Sequence, residues 1–145
     1  VRATIALGVV VFLAISVLLA RFLQAENVER DADLALIQAQ ARGDAQGMIE
    51  ELSGCRANPG CVAAVRANVA NPRLVRSGAP KILQLTSPTA YSLFGATGRT
   101  RLAWTVIGTL PVVQCVTVHR SGDFLTGIKI SLTSVSAPIP NEADC

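Results

Sequence analysis

The chain is poor in the residues on which most enzyme chemistry depends. It has one histidine, one tryptophan, one tyrosine and four phenylalanines, and no acid at all between Glu51 and Asp123. The single histidine, His119, is expected at an exposed strand end beside the turn-like sequence Arg120-Ser121-Gly122-Asp123, a poor place for a catalytic base. No serine lies in a nucleophile-elbow sequence, and neither an HExxH run nor a glycine-rich phosphate loop occurs. The acids fall almost wholly before Ser53 and in the C-terminal tail, so no carboxylate pair is suggested for a cleft. The cysteines lack the short spacing of a zinc ribbon or finger, and one histidine does not complete such a set. No enzyme activity, cofactor or metal is therefore expected. No Asn-X-Ser/Thr acceptor is present. With few aromatics to stack on bases and scattered arginines and lysines, nucleic-acid binding draws little support.

What the chain does have is concentrated at its N-terminus. Ala3 to Ala20 carries no charge and is bounded by Arg2 and Arg21, with Thr4, Gly8 and Ser16 as its only interruptions. As a helix this run rises about 27 Å, close to the hydrocarbon thickness of a bilayer. A cleaved signal peptide fits poorly, because the basic region is Arg2 alone and no small-x-small site follows. A single-pass anchor fits, and so does a helix that passes from a membrane into the core of a filament. The chain begins with Val1 rather than Met, as expected of a fragment or of a leader cut just before an intact apolar helix.

No proline interrupts the chain from there to Ser53. Leu34, Ile37, Ala41, Ala45, Met48, Ile49 and Leu52 recur at three- and four-residue steps and predict one apolar stripe. The charged residues, Glu29 among them, are expected largely off that stripe, and Glu26–Arg30 is a favourable i,i+4 pair. Gly43 and Gly47 are weak points in a helix; they allow either close backbone packing or a break near Gly43. Ser53-Gly54 reads as the helix end.

Cys55, Cys61, Cys115 and Cys145 allow three pairings. The turn sequence Asn58-Pro59-Gly60 between the first two favours Cys55–Cys61, and with it Cys115–Cys145. Val62–Val69 reads as a short helix ended by Asn71-Pro72, and Arg73–Pro80 as a linker. Strands are expected at Lys81–Thr86, Thr89–Phe94 and Arg99–Ile107, followed by a hairpin of Val112–His119 with Phe124–Leu132 across Arg120–Asp123. Val112, Val116, Val118, Phe124, Ile128, Ile130 and Leu132 are expected to face the core. The terminal Cys145 is expected to clamp the tail to the sheet.

The expected fold is α+β: a long N-terminal helix, apolar in its first half and amphipathic in its second, packed on a small antiparallel β-sheet. The domains are a hydrophobic transmembrane or filament-core segment, 1–25, and a globular head, 26–145. The head divides into helix 26–53, disulfide loop and short helix 54–72, sheet 81–134 and tail 135–145. Charge is divided too. From Arg21 to Ser53 there are three basic and seven acidic residues, whereas from Gly54 onward there are nine basic and three acidic. A solvated basic head explains this. Acidic spines meeting the basic heads of neighbouring copies would explain it as well.

Taken together, an intact apolar helix, an amphipathic continuation, a connecting segment, a small antiparallel sheet and a late pair of cysteines resemble a type IV pilin or pseudopilin. The layout covers the whole chain. The family usually places Phe or Met first, Glu fifth and Pro near position 22; Val1, Ile5 and Phe22 stand there. The resemblance implies a structural subunit of an extracellular helical filament at the cell surface, serving adhesion, motility or uptake, with an inner-membrane pool before assembly. The partners implied are identical subunits. Assembly would run through Val1, Ile5, Gly8, Val11, Phe12, Ile15 and Leu19. An intersubunit charge contact is expected from Glu26, Glu29, Asp31 or Asp33 to a basic residue of another copy, with Arg99 and Arg101 as further candidates for such contacts. The competing expectation is a monomeric, single-pass, membrane-anchored extracytoplasmic binding domain with a basic head; a third is capture of DNA by a basic filament, and the basic head is a candidate for a surface or nucleic-acid target.

Overall fold

The computed structural model describes residues 2–87, 95–123 and 127–145, without the side chains of 2–4, 21–26, 123 and 128. The fold is α+β, with helices on one face of a four-stranded antiparallel sheet.

Helix α1 runs Arg2–Ala41. It does not continue to Ser53, because the chain breaks at Gly43, which adopts φ +71°. The Asp44 amide donates to the Ala39 carbonyl and the Gly43 amide to Gln40, both at 2.9 Å. This pair of bonds closes a Schellman turn, for which glycine is suited because it carries no Cβ. Asp44 then starts α2 (Ala45–Glu51), its Oδ1 accepting from the Gly47 amide at 2.8 Å. A second correction concerns the first disulfide loop. Asn58-Pro59-Gly60 does not form a free turn. Asn58 Oδ1 accepts from the Gly60 and Cys61 amides, and Pro59 opens α3 (Pro59–Val69), three residues before the expected start.

The strands are β1 (Pro80–Thr86), β2 (Ala96–Val106), β3 (Val112–Asp123) and β4 (Gly127–Val135), in a simple meander. The strand expected at Thr89–Phe94 and the core position of Phe124 lie outside the described residues, as does the side chain of Ile128. The last hairpin is longer than expected. Arg120, Ser121, Gly122 and Asp123 are not its turn; they pair with Ile130, Lys129, Ile128 and Gly127. The register therefore places Arg120 on the inward face with Val116 and Val118, all of them buried.

The core lies between the helices and that face. Leu36, Ile37, Met48, Leu52, Val65, Leu102, Trp104, Val112, Val116, Val118 and Leu132 fill it, with Leu34, Ala45, Ile49 and Ile130 half-buried beside them. Leu74, in the segment that reads as a linker, is also fully buried. The Ser53 amide donates to the Leu132 carbonyl at 2.7 Å, which ties the end of α2 to β4. Both disulfides, Cys55–Cys61 and Cys115–Cys145, are formed.

Candidate functional site

Three regions carry the residues singled out from the sequence. The first is the exposed start of α1. Ile5, Leu7, Val9, Val10, Val11, Phe12, Leu13, Ile15, Val17, Leu18 and Leu19 are each between 49% and 69% exposed. Five of them, Val9 to Leu13, are consecutive. Successive helix positions turn by about 100°, so the apolar surface goes all the way round the helix instead of forming one stripe. Ser16, the polar member of this stretch, donates its hydroxyl to the Phe12 carbonyl at 2.9 Å, which leaves no unmet donor on the side chain. A Cβ added at Gly8 would meet nothing within 4 Å, so this glycine is not required by packing inside the chain. Among the described residues no helix is long and apolar enough to cross a membrane. The expected span of Ala3–Ala20 is described at side-chain level only from Ile5. Val1 lies outside the described residues.

The second region is the seam between α1 and the sheet, where sequence periodicity misplaced Glu29. Glu29 and Asp33, expected at contacts between copies, are buried within the chain, at 1% and 0% exposure. They lie one turn apart on the inward face of α1. A Glu29 oxygen pairs with the Arg120 guanidinium, and the Thr100 hydroxyl donates to the other at 2.7 Å. Ser87 Oγ accepts from Arg120 at 3.0 Å and lies 3.2 Å from the Thr100 hydroxyl. The two Asp33 oxygens have no hydrogen-bond partner among the described residues. Burial, and secondarily the neighbouring Glu29, push the Asp33 pKa up to about 7. Further along the same face, Gln40 and Gln114 bond to each other, and Trp104 Nε1 donates to Gln114 Oε1 at 2.8 Å. A cleft of about 470 Å³ opens beside the seam, lined by Asn27, Glu29, Arg30, Leu85, Thr86, Ser87 and Arg120. The Arg30 guanidinium donates to the Ile82 carbonyl at 3.2 Å. The Glu26 side chain, its expected partner, lies outside the described residues. Asp31 is exposed.

The third region is the outer face of the sheet, which the C-terminal tail covers. Arg99 donates to the Cys145 carbonyl at 3.2 Å. Arg101 donates to the carbonyls of Ala143 and Asn141. The Ile139 amide bonds the Val113 carbonyl, and the Ser136 amide bonds the Cys115 carbonyl. The two arginines therefore hold the chain's own backbone, beside the disulfide that fixes its end. His119 is exposed on the same face, its Nδ1 2.8 Å from Thr97 Oγ1. No acid stands by it among the described side chains, and no cluster of metal-ligating residues occurs among the described residues.

Sequence reasoning missed Arg120, Thr100 and Gln114 as members of the buried polar seam. Each lies on a strand two residues from an apolar core position, and that period-two spacing was the available signal. Comparison with protein-family models, with curated proteins and with solved structures finds no match to this chain.

Proposed function

We propose that the chain is a structural subunit of an extracellular helical filament, assembled by packing the N-terminal helices of many copies against one another. The observation that carries this reading is the apolar surface that surrounds α1 from Ile5 to Leu19. Each such side chain gains about 1.5–3 kcal/mol when removed from water. A single partner helix covers one stripe and leaves the rest wet, whereas lipid or a ring of neighbouring helices covers all of it. Lipid would hold the subunit in the inner membrane before assembly, and neighbouring helices would replace lipid in the filament. A repeated, non-closing contact between identical copies extends indefinitely along an axis. Gly8 supports close approach of such helices, as small residues do where helices pack without water. In this reading Ile5, Gly8, Val11, Phe12, Ile15 and Leu19 carry assembly, and exposed Asp31 remains a candidate for charge contacts between copies.

The second reading is a single-pass anchored, monomeric binding domain. Ile5 favours it, because the family the layout resembles places there the acid that takes part in assembly. Shearing cells that express the full chain separates the two readings. Detergent-free filaments containing this chain, seen by electron microscopy, are the expected result. Recovery of the chain solely as a detergent-dependent monomer would sink the filament reading and leave the anchor.

A further inference from the structure

The seam between α1 and the sheet holds a buried carboxyl, that of Asp33. Asp33 is fully buried, and both its oxygens lack a hydrogen-bond partner among the described residues. Among the described side chains the charged groups around it are few. On α1 they are Glu29, one turn away, and Arg30, which is committed to the Ile82 carbonyl. On β3 there is Arg120, which is held by Glu29 and Ser87. The described charges of the other packed elements, Lys81 on β1, Lys129 on β4, Glu50 and Glu51 on α2 and Arg66 on α3, are exposed. On β2, Arg99 and Arg101 bond to the tail across the sheet's outer face. Asp33 thus has a like charge as its neighbour, and the cation that would neutralise it is taken. Burying an ionised carboxylate without a partner is costly, and the protonated form avoids that cost.

We propose that this seam is a proton-dependent latch: α1 seats firmly on the sheet while Asp33 carries its proton and loosens when the proton leaves. When α1 lifts, the carboxyl returns to solvent and toward its ordinary pKa of 3.8, against about 7 in the seated state. The seated state therefore holds the proton more tightly. Its advantage is complete below the lower value, is lost progressively as pH rises to the upper one, and changes no further above it. The latch does not depend on the filament reading, since it concerns the folding of one copy. In a filament it would hold each head more tightly to its spine on an acidic side.

The test uses the full chain in detergent micelles. Hydrogen exchange of the amides of residues 27–41, corrected for the intrinsic rate, is followed from about pH 4.5 to about pH 8. Protection is expected to fall by up to about tenfold per pH unit until near pH 7 and then to level off. Asp33→Asn should abolish that fall, while Asp31→Asn, at an exposed position on the same helix, should keep it. Because Asp33→Asn places an unpartnered amide in the seam, the carboxyl carbon of Asp33 is also titrated by NMR in the unsubstituted chain. A midpoint near 7 is expected there. A midpoint below about 5, close to that of an ordinary carboxylate, would overturn the proposal. So would flat protection in the unsubstituted chain, or an unchanged fall in Asp33→Asn.

Discussion

The two described stretches of α1 reverse the usual relation between polarity and burial. From Ile5 to Leu19 the helix exposes large aliphatic side chains on every side. From Glu29 to Gln40 it buries two carboxyls and an amide together with Leu36 and Ile37. One helix thus faces two surroundings. Among the described residues the first stretch has no complement, so its apolar surface stays exposed. The second stretch has a complement in the sheet, and its polar groups find Arg120, Thr100 and Gln114 there. Asp33 is the exception, and it is the place where this complementarity depends on pH.

Removing the complement from the buried stretch should have the largest effect. Arg120→Met leaves Glu29 buried without its cation and should cost about 3–5 kcal/mol of stability, measured by urea unfolding. Adding Glu29→Leu should recover most of that loss. If the double variant is as unstable as the single one, the cost lies in Arg120 packing and not in the unpaired charge. A charge placed in the exposed stretch should act in the opposite manner. Phe12→Glu should penalise burial of the helix by about 3 kcal/mol per copy and abolish filaments, while head stability stays unchanged. A matching drop in head stability would show that the two stretches are not independent. The smallest effect is expected at the hinge after the second stretch. A Cβ at Gly43 would come no closer than 3.6 Å to Val75, so Gly43→Ala should meet no clash. Its positive φ should still cost about 1 kcal/mol by thermal unfolding. A neutral result would mean that the turn relaxes.

Much of the head was legible because its signals are local. Asn58-Pro59-Gly60 placed Cys55 and Cys61 close together, and the hairpin pattern placed Val112, Val116, Val118 and Leu132 inward. Gly43 was visible as a weak point. Whether it broke the helix depended on the chain having somewhere to go, and α2 turns back onto β4. The functional residues were less legible. Periodicity put Glu29 off the apolar stripe because an isolated carboxylate belongs in water. It sits inside because Arg120 arrives from β3, ninety-one positions along the chain. Arg120 itself reads as a turn residue until the hairpin is known to extend to Asp123. Arg99 and Arg101 look like free surface cations until the tail folds across them.

The sequence by itself determined the apolar character of the first stretch, the inward residues Val112, Val116, Val118 and Leu132 of the last hairpin and the proximity of the first two cysteines. These follow from side-chain type and short-range period, which need no knowledge of distant partners. The tertiary structure alone decided which charges are buried, which cations are occupied and that Asp33 has no hydrogen-bond partner among the described residues. Those outcomes depend on pairings between segments far apart in the chain, and the cost or gain of burying a charge depends on what arrives opposite it.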